Sequence, residues 1–180
     1  MKRFLIALLF LVAGGVSGKY AGRWYYAKHE VPAAVPTRPV TFSEMVKAGH
    51  YDLVDREISA SRKTVDPENF TADGLLLVRF AHSVSTEMVL MSMIRDGLRP
   101  ATNEELLAFG AEKPEEQKKY PVVALSQFLQ DPNGEGFALC LDWDGNSRVL
   151  VLFSLDYEWN ESYRFLASRV KPASGFVKPP

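Results

Sequence analysis

The spacing of apolar residues changes twice along this chain. From Phe4 to Ala13 they form an unbroken run, which continues through Gly14 and Gly15 to Val16 without a charge. From Val40 to Lys118 short apolar clusters lie between residues that start or stop helices. From Pro121 to Val170 the runs become strand-like and are separated by turn residues.

In the middle section, Thr41 and Glu44 have the spacing of a capping box, so a helix is predicted over Phe42–Ala48 with Gly49 as its left-handed end. Leu75-Leu76-Leu77-Val78-Arg79-Phe80 is too short for a stable helix and reads as a largely buried strand. Ser85 or Thr86 then caps a helix in which Met88, Met91 and Ile94 recur at helical spacing, with Gly97 as its stop. That stripe is assigned to the core, the commoner use, over an adaptable methionine-rich binding face. Thr102 and Glu105 form a second capping box for a helix carrying Leu106, Leu107 and Phe109 and closed by Gly110; Pro114 suits the first turn of another, through Lys118.

Four strands are predicted next: Val122 to Leu129, Gly136 to Trp143, Arg148 to Leu155 and Tyr163 to Val170. The connections, Asp131-Pro132-Asn133-Gly134, Asp144-Gly145-Asn146 and the loop from Asp156 to Ser162, are short enough for antiparallel hairpins. The expectation is an α+β domain, short helices packed on one face of a mainly antiparallel C-terminal sheet.

The N-terminal run changes the picture of location. Lys2 and Arg3, the apolar stretch and the small residues Val16-Ser17-Gly18 make a targeting pattern, with cleavage after Gly18 as one outcome. The other is a retained anchor: Phe4 to Gly22 nearly reaches the roughly 20 residues a spanning helix needs. Gly14, Gly18 and Gly22 supply a helix-packing motif, and Trp24, Tyr25 and Tyr26 an interfacial belt. The anchor is preferred, and both outcomes put the domain outside the cytoplasm, secreted if cleaved. Residues 1–26 are thus read as anchor or signal peptide, 27–40 with Pro32, Pro36 and Pro39 as a semi-rigid linker, 41–171 as one domain and 172–180 as a frayed tail.

Charge excludes one class of partner. The first 26 residues hold four of the 21 basic residues and none of the 22 acidic ones, leaving the remainder at a formal −5, with no basic footprint for nucleic acid. Cys140 is the only cysteine, so no intramolecular disulfide forms, and Phe137-Ala138-Leu139-Cys140-Leu141 predicts a thiol buried in a strand.

Residues from about Val40 to Lys171 resemble a family of small uncharacterised proteins of candidate-phylum bacteria with reduced genomes. The matching pieces are Glu44 to Asp52 (EMVKAGHYD), Gly97 to Gly110 (GLRPATNEELLAFG), Tyr120 to Leu125 (YPVVAL) and Tyr163 to Ala167 (YRFLA). The resemblance transfers no activity. The N-terminal anchor is not part of the shared pattern, and Leu125-Ser126-Gln127 replaces a Leu-Gly-Ser. More weakly, Arg99-Pro100-Ala101-Thr102-Asn103-Glu104-Glu105 and Arg164-Phe165-Leu166-Ala167-Ser168-Arg169 are similar to the helix start and closing strand of C-type-lectin-like and sulfatase-modifying-factor-like domains. That likeness implies helices beside a twisted sheet whose loops bind ligands, without the paired or catalytic cysteines of those families.

Candidate chemistry is sparse. His29, His50 and His82 are scattered, and no nucleophile elbow or phosphate loop occurs. Glu104, Glu105, Glu115 and Glu116 sit at helix starts, where acids complement the dipole and are expected to stay solvated. Asp131-Pro132-Asn133 and Trp159-Asn160-Glu161 echo lectin calcium ligands, and Asp142, Asp144 and Asn146 part of a calcium loop, but turn chemistry explains them. No metal or cofactor is assigned. Aromatic residues crowd the last strands; Phe153 and Phe165 are assigned to the core, while Trp143, Asp144, Tyr157, Trp159 and Asn160 are expected to form a displayed binding surface. The expected function is an envelope-tethered, non-catalytic module for a protein or glycan partner. The alternative is an exported enzyme acting on cell-envelope glycan or peptide through a pair of carboxylates.

Overall fold

The computed structural model describes residues 25–31, 40–59, 64–65, 74–130 and 133–170. The apolar run, the linker prolines, Asp131-Pro132 and the tail 172–180 lie outside the described residues.

Helix α1 (Phe42–Ala48) starts where its capping box predicts: Glu44 N–H donates to Thr41 Oγ1, and the Glu44 carboxylate accepts from Thr41 N–H. Its end differs from expectation. Gly49 stays right-handed at φ −73°, and His50 takes the positive φ of 49°. Gly49 is needed for room instead, because a Cβ there would strike the Tyr51 ring. After β3 (Leu53–Val54) and the single turn α2 (Arg56–Ser59) come β5 (Leu75–Arg79) and α3 (Thr86–Arg95), whose cap is Ser85 accepting from Met88 N–H. β6 (Leu98–Pro100) leads into α4 (Asn103–Glu112), and Glu116–Lys118 form a 3-10 turn. Strands β7 (Val122–Gln130), β8 (Gly136–Trp143), β9 (Arg148–Ser154) and β10 (Arg164–Arg169) complete the order.

Gly110 does not close α4; the helix runs through it to Glu112. A side chain there would collide with Tyr51 Oη and with Leu141 Cδ1 at 2.9 Å, so this glycine permits α4 to lie close on the sheet.

The main sheet is ordered β1-β5-β10-β7-β8-β9-β3, with β6 also on β10; β2 (Val40–Thr41) and β4 (Thr64–Val65) pair separately. β1 is Tyr25–Val31, antiparallel to β5 with Tyr25 opposite Arg79. Residues 27–31 therefore belong to the sheet and not to a spacer.

The fold is α+β, with the β7-β8-β9 hairpins antiparallel as expected. Two features depart from expectation. First, β10 does not extend the meander. It returns to the middle, antiparallel to β5 and parallel to β7, where both backbone edges are paired and Phe165 to Ser168 are all buried. Second, helices cover both faces. Leu75, Leu77, Val122, Ala124, Leu139, Leu141 and Leu166 pack with α1 and α4, while the alternate residues Leu76, Val78, Val123, Leu125, Ala138, Cys140 and Phe165 pack with α3. Strands that are apolar at every position must be covered on both sides, since consecutive side chains point oppositely.

Candidate functional site

The five residues expected to form one displayed surface are divided between the two faces. Trp159 is fully buried on the α3 face. Its backbone exchanges both hydrogen bonds with Val84 at 2.9 Å, and its indole N–H donates to Thr86 Oγ1 at 2.9 Å, which itself donates to the Leu155 carbonyl at 2.7 Å. Tyr157, half-buried, packs edge-on against it at 5.1 Å between ring centres, and Phe153, Tyr163 and Phe165 extend the cluster. Burial raises the Tyr163 phenol well above its usual range, assisted by the hydrogen bond to Tyr157 Oη. The 156–162 loop is thus a plug in the second core. Asp156, Glu158, Asn160, Glu161 and Ser162 are its exposed polar residues, and Asn160 Oδ1 accepts from Ser162 N–H at 2.9 Å and Ser162 Oγ at 2.6 Å and so builds the turn.

Trp143 lies elsewhere. It pairs with Arg148 and shares the strand parity of Leu139 and Leu141, on the α1/α4 face. From Arg148 to Phe153 is five residues of β9, roughly 17 Å at about 3.4 Å each. Trp143 and Trp159 therefore cannot contact one ligand side by side. The Trp143 ring is half-buried beneath Lys118 Nζ, 5.4 Å from its centre. Asp144 is exposed, with Oδ1 accepting from Asn146 N–H and Ser147 N–H; these two bonds hold its carboxyl below its usual pKa.

Beside this turn is an arginine anchorage that sequence reasoning missed. Arg148 donates to the carbonyls of Gly49 at 2.5 Å and Gly110 at 2.8 Å and to Gln117 Oε1 at 3.0 Å, with its guanidinium 5.0 Å from the Tyr51 ring centre. Gln117 in turn donates to the Asp142 carbonyl. One cation thus binds the carbonyl-rich end of α1, the last turns of α4 and the 3-10 turn, as the partial negative charge of helix C-termini favours. Burial raises the Tyr51 phenol far above its usual range, partly opposed by Arg148.

The acids at helix starts are not all solvated. Glu105 is completely buried: its carboxylate takes two bonds from Arg99, at 2.6 and 2.8 Å, and one from Thr102 N–H at 2.9 Å. The hydrogen bond to Glu105 raises the Arg99 pKa. Glu104 is buried also, whereas Glu115 and Glu116 pair with Lys118 and Lys119. Cys140 is buried, and burial pushes its thiol pKa well up. Among the described residues no group of three or more His, Cys, Asp or Glu side chains could hold a metal, and no helix is long and apolar enough to cross a membrane.

The remaining feature is α3. Its inward residues are Thr86, Val89 and Met93, all buried, with Leu90 beside them. Met88, Met91 and Ile94, expected in the core, are instead 47, 64 and 73 % exposed. Two stripes compete on this helix, and Glu87, Met91 and Arg95 settle which faces water. They are spaced i, i+4, i+8 and so share one side. The charges flanking Met91 were the legible signal. Together Glu87, Met88, Met91, Ile94 and Arg95 make an outward surface with an apolar centre and a charge of each sign at its ends.

Comparison with protein-family models, characterised proteins and solved structures finds no match for this chain.

Proposed function

We propose that the protein is a non-catalytic interaction module, tethered to the cell envelope by the apolar segment that precedes β1 with its domain outside the cytoplasm, and that it meets a protein partner through the outward face of α3. The observation that carries this reading is the Met88, Met91 and Ile94 stripe. On a ten-residue helix already anchored by the buried Val89 and Met93, these three large apolar side chains keep much of their surface exposed. Grouped exposed apolar residues mark contact surfaces, and methionine adapts its shape to a partner. The tether reading rests on the charged residues Lys2 and Arg3 and the apolar run that follows them; Tyr25 and Tyr26, expected in an interfacial belt, lie in β1 instead.

The test is photo-cross-linking in intact cells from a reactive analogue at position 91, with position 146 in the Asp144 turn as the comparison. Cross-links to protein are expected from 91. Cross-links from 146 with none from 91 would transfer the surface to the opposite end of the sheet. Protease added to the same cells should digest the domain; protection would defeat the external location.

A further inference from the structure

We infer that the partner of α3 is a second copy of this chain, docked antiparallel about a two-fold axis through Met91; this rests on the α3 face being the contact surface. The outward residues are symmetric about that position. Met88 and Ile94 stand three residues to either side of it, and Glu87 and Arg95 four. Laid antiparallel on a copy of itself, the helix sets Met91 against Met91, Met88 against Ile94, and Glu87 against Arg95 twice. A two-fold interface requires such self-complementarity, since each residue's partner must find the reciprocal pair on the other side.

Charge favours this occupant over a generic apolar surface and fixes the direction. In a parallel pairing Glu87 faces Glu87 and Arg95 faces Arg95, both repulsive, and the two helix dipoles align unfavourably. In the antiparallel pairing both charge pairs are opposite in sign and the dipoles oppose. Arg95 binds Asp96 through Nε at 3.1 Å, and its side chain is 58 % exposed. The helix is also a firm platform. Ser85 caps it, Thr86 is tied to Trp159 and Leu155, and Val89 and Met93 are buried, so docking requires little reordering.

Single cysteines introduced into the full-length chain in its own membranes test the geometry, with buried Cys140 replaced by Ala to remove background. Under mild oxidation Met91→Cys should form a disulfide-linked dimer. Met88→Cys and Ile94→Cys should each link poorly alone but link to one another when the two variants are co-expressed. Self-linking of all three would overturn the antiparallel arrangement. Absence of linking at 91, or linking no faster than from Asn146→Cys, would overturn the dimer. A position-91 photo-cross-link to a different protein in that case leaves α3 as the contact surface and defeats only the self-association.

A charge exchange supplies a second readout by sedimentation of the detergent-solubilised chain. Glu87→Arg or Arg95→Glu alone should weaken dimerisation about tenfold, as two repulsive exposed pairs replace two attractive ones, and the double exchange should restore it. Additive loss in the double variant would overturn the proposed pairing.

Discussion

The two faces of the sheet are closed by different means. On one, α1 and α4 lie side by side over Leu139, Leu141 and Leu166, and Arg148 binds their carbonyls at the end where both helices finish. On the other, α3 is the one long helix among the described residues, and the 156–163 loop fills the remaining area with Tyr157, Trp159 and Tyr163. The first face is completed by a polar bond network and the second by aromatic rings. The difference explains the outward character of α3. Among the described residues no second helix lies beside it to take up Met88, Met91 and Ile94, and the aromatic loop docks at its first residue, away from that stripe.

The sharpest way to break the comparison is at its two tryptophans. Trp159→Ala should cost about 3–5 kcal/mol, as for other large buried side chains. Trp143→Ala, partly exposed under Lys118, should cost less, about 2 kcal/mol. Denaturant unfolding of both variants measures this, and equal losses would contradict the division into plug and rim.

Arg148→Met tests the other face with a smaller effect. The methionine keeps most of the apolar stem but leaves the Gly49 and Gly110 carbonyls without their shared cation, a loss of about 2–3 kcal/mol. Amide hydrogen exchange should show faster opening of the α1 and α4 C-termini with α3 unchanged. Uniform acceleration would mean that the two faces do not unfold separately.

The smallest effect concerns Asp144. Its carboxyl is held below its usual pKa by two backbone N–H bonds, so the charged form stabilises the folded turn. That contribution is fully present above the unfolded value, about pH 4, and is lost as pH falls through the lower folded value. The melting-temperature difference between wild type and Asp144→Ala should accordingly be constant between neutral pH and about pH 5 and shrink below about pH 4. A difference that grew in acid would reverse the sign of the proposed bonds.

Local bonding made much of the chain legible. Both capping boxes form as the Thr-x-x-Glu spacing requires, Ser85 starts α3, Gly97 takes its positive φ after it, and β8 spans Gly136–Trp143 as its apolar run and flanking turns imply. These features involve residues three or four apart, or a turn a few residues long, so their energies are set by neighbours in sequence. The second covered face ran against the expectation of helices on one face, although Leu75-Leu76-Leu77-Val78 and Val122 to Leu125, where no polar residue alternates, carried its signal.

What tertiary structure alone decided is which apolar residue meets which. Whether an aromatic residue on a turn is displayed or buried depends on whether a distant element is open to receive it. Trp159 is received by Val84 and Thr86, more than seventy positions earlier in the chain. Arg148 likewise finds Gly49 and Gly110 only because β9 ends where two helices end, and Glu105 loses its solvent because β6 brings Arg99 over it. On α3 the sequence supplied two apolar stripes of similar strength. The sheet could accept one, and the excluded stripe became the surface.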